Sequence, residues 1–61
     1  MPDRTYRLYH LGRDGDIRGK IDRSFRDDEE AFEHADRLLE VHPAIEIWQT
    51  DRLVGRVERP A

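Results

Sequence analysis

The stretch Asp27-Asp28-Glu29-Glu30-Ala31-Phe32-Glu33-His34-Ala35-Asp36-Arg37-Leu38-Leu39-Glu40 decides the fold. Ala31, Phe32, Ala35, Leu38 and Leu39 recur at helical spacing and make one apolar stripe. Glu33, His34, Asp36, Arg37 and Glu40 fall on the other side. Asp27 is placed as the N-cap, because its carboxylate can accept from free backbone N–H groups of the first turn, and Glu30 stands where a capping box needs it. The acidic run from Asp27 to Glu30 suits the positive end of the helix dipole, and Arg37 suits the negative end. Pro43 disfavours helical geometry at His42, so the helix is expected to stop by about Val41.

On either side of this helix the chain alternates like strand. Thr5 to Leu11 is aromatic-rich and free of glycine and proline, and reads as strand one. Asp14-Gly15 supplies a turn. From Ile17 the alternation resumes through Ile17, Gly19, Ile21 and Arg23 and reads as strand two, ending near Arg23. Ala44 to Thr50 reads as strand three, with Ile45 and Ile47 on one face and Glu46 and Trp48 on the other. A turn at Thr50 to Arg52 leads into strand four, Leu53 to Arg59. The expected fold is therefore α+β, β-β-α-β-β, one helix on one face of a four-stranded antiparallel sheet. Strands one and three are the most apolar and are placed centrally. Strands two and four carry glycine and many charges, which suits edges, so the order is expected to be 2-1-3-4. Phe32, Leu38, Ile45 and Ile47 are expected in the core.

The pattern Tyr-Arg-Leu-Tyr-His-Leu, Asp-Gly with Ile-Arg, Asp-Asp-Glu-Glu-Ala, Ile-Glu-Ile-Trp-Gln and Leu-Val-Gly-Arg resembles a group of small bacterial β-β-α-β-β proteins that carry no assigned activity. The resemblance spans nearly the whole chain. It implies the architecture and no function.

At 61 residues the chain is read as one domain, residues 1–61. A domain of this size buries only about 60% of the surface its unfolded chain exposes, and small domains usually need a staple or a partner. Without cysteine there is neither a disulfide nor a thiolate ligand. Charged residues make up 41% of the chain, with a net charge of −3 and both signs interspersed, which gives solubility rather than a strong field. No apolar run is long enough to span a bilayer and the N-terminus lacks the apolar core of a signal peptide. A soluble, cytoplasmic protein is expected, with no membrane contact.

One helix covers one sheet face and leaves the other open. Alternation sends Arg7, Tyr9 and Leu11 of strand one, Glu46 and Trp48 of strand three, and Val54 and Arg56 of strand four to that open face. Arg18, Lys20 and Asp22 of strand two join them. Large aromatics and arginine are enriched in protein interfaces. The expected function is therefore a non-enzymatic interaction module, a homodimer or a domain docked on a larger protein through Arg7, Tyr9, Leu11, Glu46, Trp48, Val54 and Arg56. The weaker reading is a single-stranded nucleic-acid platform, with bases on Tyr9 and Trp48 and phosphates on Arg7, Arg18 and Arg56. Glu46, Asp22 and the net charge oppose it. The bland reading is a solvated sheet face carrying ordinary cross-strand pairs.

No catalytic, cofactor or metal site is expected. His10, His34 and His42 lie on a strand, a helix and a loop without the spacing of a zinc motif. His34 is read as solvated, His10 as a residue of the core rim, and His42 as an imidazolium favoured by the helix C-terminus. Ser24 is the only serine and has no histidine beside it in sequence. Gly12, Gly15 and Gly19 precede a strand, so they form no phosphate loop.

Overall fold

The structure, a computed structural model, describes residues 3–60; Met1, Pro2 and Ala61 lie outside the described residues. Strands β1 (Arg4–Leu11) and β2 (Ile17–Phe25) precede helix α1 (Asp28–Leu38), and β3 (Ala44–Gln49) and β4 (Arg52–Glu58) follow it. The four strands form one antiparallel sheet in the order β2-β1-β3-β4. The element order and the central placing of the two most apolar strands match the reading from sequence.

Local chemistry sets the boundaries. Gly15 takes φ +85 in the β1–β2 turn, a conformation that glycine adopts without steric cost. The Asp14 carboxylate accepts from the Asp16 N–H and pairs with Arg18 across the turn. Asp27 is extended and its Oδ1 accepts from the Glu30 N–H at 2.9 Å, so it is the N-cap. The return arm differs from a capping box: Glu30 Oε1 accepts from the Arg26 N–H, one residue before the cap. Helix α1 ends at Leu38, before Val41, and the backbone N–H groups of Leu39 to His42 continue in turns back to the carbonyls of Asp36, Arg37 and Leu38. In the β3–β4 turn Thr50 has φ 58, which costs a β-branched residue about 1–2 kcal/mol.

The core lies between α1 and one sheet face. Tyr6, Leu8, Ile45 and Ile47 are fully buried there, with Ala31 and Ala35 of the helix and Phe25 at the end of β2. The small helix residues face the centre of the sheet. The expectation of a buried Phe32 and Leu38 is corrected: both are half-buried and pack on the flank of this cluster. The Phe32 ring lies directly over Gly55, where an added Cβ would sit 2.3 Å from Cζ. The Tyr6 hydroxyl donates to Asp28 Oδ1 at 2.6 Å, which Arg52 also approaches at 3.2 Å. These bonds, Tyr6 foremost, hold the Asp28 carboxyl below the ordinary carboxylate range and tie the helix N-terminus to both halves of the sheet.

Each edge strand carries one irregularity. Between β1 and β2 the register steps from His10↔Gly19 to Leu11↔Ile17, leaving Arg18 as the extra residue. Between β3 and β4 it steps from Ile47↔Gly55 to Trp48↔Leu53, leaving Val54 extra. A bulge shifts the phase of alternation, so residues beyond it change faces. This corrects three expectations. Ile17 and Leu53 stand on the open face, 60% and 51% exposed. Val54, placed on the open face from its sequence, packs against the core cluster instead.

Candidate interaction face

The face of the sheet opposite α1 is built from alternate residues of all four strands. Arg7, Tyr9 and Leu11 come from β1, Ala44, Glu46 and Trp48 from β3, and Arg56 and Glu58 from β4 beside the displaced Leu53. Lys20 and Asp22 come from β2, beside the displaced Ile17. The registers place Tyr9 beside Glu46, and Trp48 beside both Arg7 and Leu53. Diagonal neighbours on a sheet are within reach of aromatic side chains. Ile17, Tyr9, Trp48 and Leu53 therefore form an apolar diagonal from one edge strand to the other. A shallow groove of about 390 Å³ follows its Ile17–Tyr9–Trp48 part, lined also by Glu46, Thr50 and Asp51.

Polar groups flank this diagonal in closed pairs. Trp48 Nε1 donates to Glu46 Oε1 at 2.6 Å, which leaves the indole ring with only carbon to offer. Arg7 Nε meets Asp22 Oδ1 at 2.8 Å on one side. Arg56 Nε meets Glu58 Oε1 at 2.7 Å on the other. The Arg7 bond also holds the Asp22 carboxyl below the ordinary range. Three cations (Arg7, Lys20, Arg56) thus face three carboxylates (Asp22, Glu46, Glu58) on a chain whose net charge is −3. Leu11 and Ala44, at 3% and 5% exposure, close one end of the face as a small buried patch outside the main core.

The histidines are better ordered than their sequence positions suggest. His10 and His42 stack with ring centroids 4.2 Å apart, and the His10 ring lies over Gly19. His10 Nδ1 is buried with no hydrogen-bond partner among the described residues. Burial, His10 and Arg59 all hold the His42 pKa below 6.5, so the imidazolium expected at the helix C-terminus is corrected to a neutral ring. Arg59 takes that place: its Nε donates to the Leu39 carbonyl. His34 packs against Phe25 at 5.3 Å and is half-buried rather than solvated. Burial foremost, then Arg23 and Arg37, lower its pKa too. Ser24 and His34 line one cleft, with no hydrogen bond between them. Among the described residues no group of three or more His, Cys, Asp or Glu side chains is arranged to hold a metal. No helix there is long and apolar enough to cross a membrane.

These two histidines contribute to the acid limb of stability. A base whose folded pKa is depressed takes up protons in the unfolded chain first, so stability is complete above 6.5 and falls as pH drops below it. The depressed carboxyls of Asp28, Asp22 and Asp14 add a second loss below 3.8. The urea midpoint is expected to stay level from about pH 8 to pH 7, then decline from about pH 6.5. His34→Gln is expected to reduce that first slope. A midpoint level down to about pH 5 would contradict the two burial assignments.

The chain matches no protein-family model, no curated protein and no solved structure.

Proposed function

We propose that this chain is a non-enzymatic interaction module that pairs with a second copy of itself through the open sheet face. The observation that carries this reading is the apolar diagonal Ile17–Tyr9–Trp48–Leu53, whose two aliphatic ends are more than half exposed. Isolated exposed aliphatics are ordinary, whereas a contiguous apolar band with a polar rim is the pattern of an interface. Equal numbers of cations and carboxylates make the face electrically self-compatible, although the chain as a whole repels its copies. The bulges at Arg18 and Val54 disrupt both sheet edges, which favours contact through the face over strand addition. An interface of ordinary size takes about 800 Å² per partner, a share of the 4458 Å² surface that one broad face can supply.

The same face is a poor polyanion platform. Arg7, Arg18 and Arg56 are each engaged by a carboxylate, from Asp22, Asp14 and Glu58. A phosphate would have to displace those partners as well as overcome the net charge.

Solution mass tests the reading. The parent is expected at twice the chain mass at high concentration, and Leu53→Glu at the single-chain mass with unchanged helix content. Leu53 is solvent-facing, so its change leaves the core alone. A parent that stays monomeric at the highest concentration reached overturns self-association.

A further inference from the structure

The far side of the molecule carries a second feature, independent of the open face. A cleft of about 360 Å³ runs between edge strand β2 and the outer flank of α1. Phe25 forms its floor, with the His34 ring against it at 5.3 Å. Arg23 enters from β2, and Glu30, Glu33, His34 and Arg37 enter from one row of the helix. The charges there are unevenly spent. Glu30 is already occupied, accepting from the Arg26 N–H at 3.1 Å with the Arg26 guanidinium 3.9 Å away. Arg23 and Arg37 form no ion pair among the described residues, although Glu33 stands one helical turn before Arg37. Arg4 and Arg13 likewise form no ion pair among the described residues, and Arg59 bonds a carbonyl; Arg23 and Arg37 differ from these in lining one cleft together, beside an imidazole.

We propose that Arg23, Arg37 and His34 form a binding site for a phosphate-class oxyanion, either free or as the phosphate of a small monoester. Two guanidinium groups supply forked donors suited to the oxygens of such an anion. The cleft, at about 360 Å³, exceeds the size of a bare phosphate and leaves room for a small organic group. Glu33 is the one unneutralised carboxylate facing the site, and Ser24 lies at the rim. The cations about His34 now disfavour its protonation; a bound anion reverses that field, so binding and His34 protonation help one another.

Titration of the full chain with inorganic phosphate, followed through the His34 ring resonances, tests this. A saturable shift is expected that chloride at equal ionic strength does not reproduce. Arg23→Gln and Arg37→Gln are each expected to weaken it about tenfold. Both side chains are exposed, so the amide spectrum is expected to stay native. Sulfate, whose charge is constant over the range, is expected to bind more tightly at about pH 6 than at pH 8. Glycerol phosphate binding more tightly than phosphate assigns the site to monoesters, and equal binding assigns it to the free anion. A shift that does not saturate, or one that survives loss of both arginines, overturns the proposal. None of these results bears on the solution mass, so this site and the dimer stand or fall separately.

Discussion

Ile47→Ala is expected to unfold at a much lower denaturant concentration than the parent, with a loss of about 2–5 kcal/mol. Ile47 lies on central strand β3, fully buried beneath α1, with Leu8 of β1 on one side and Gly55 of β4 on the other. Truncation removes the methyl and ethyl groups that fill the junction of three strands. The bare backbone at Gly55 has no side chain to collapse into the space. Domains of this length hold only about 3–9 kcal/mol in total, so the variant keeps a small fraction of its stability. Urea unfolding followed by helix ellipticity measures it. Val41→Ala is the control, because Val41 is 70% exposed and its loss is expected to stay within about 0.5 kcal/mol. Equal midpoints for the two variants would show that the core is misplaced.

Gly55→Ala is expected to destabilise by about 1–3 kcal/mol, against the ordinary trend in strands. Glycine normally weakens a strand through its unfolded-state freedom, so adding a methyl should help. Here the new Cβ would lie 2.3 Å from Phe32 Cζ and 2.8 Å from Cε1. The ring must leave the sheet, and the helix flank loses its cover. The sign of the change is therefore diagnostic. Phe32→Ala in the same chain removes the clash, so the double variant is expected to lose less than the two single losses combined. Additive losses would mean that Phe32 does not rest on Gly55.

The chain order of elements, the N-cap at Asp27 and the central pair β1–β3 were all legible before the structure, because each rests on local chemistry: a helical stripe, a capping carboxylate, and two strands rich in Tyr, Leu and Ile. Burial of Ile45 and Ile47 followed from simple alternation and holds. Alternation failed at Ile17, Leu53 and Val54 for one reason. It assumes an unbroken phase along each strand, and each edge strand has a bulge that resets it. A signal was present. The extra residues Arg18 and Val54 both precede a glycine, and glycine inside a strand often marks a bulge. The apolar stripe places Phe32 on the core side without giving its depth, and the sheet centre takes Ala31 and Ala35 at closest approach, which leaves Phe32 on the flank. The His10–His42 stack joins residues far apart in the chain, and no local pattern encodes it.

We propose the open sheet face, with its diagonal of Ile17, Tyr9, Trp48 and Leu53, as the surface on which two copies meet. Side-chain and amide resonances followed through a dilution series test it most directly. Concentration-dependent shifts are expected at these four residues and at the flanking Arg7, Lys20 and Arg56, with the outer helix residues Glu29, Glu33 and Asp36 unmoved. Shifts confined to the helix, or a spectrum that does not change from the most concentrated to the most dilute sample, would contradict it.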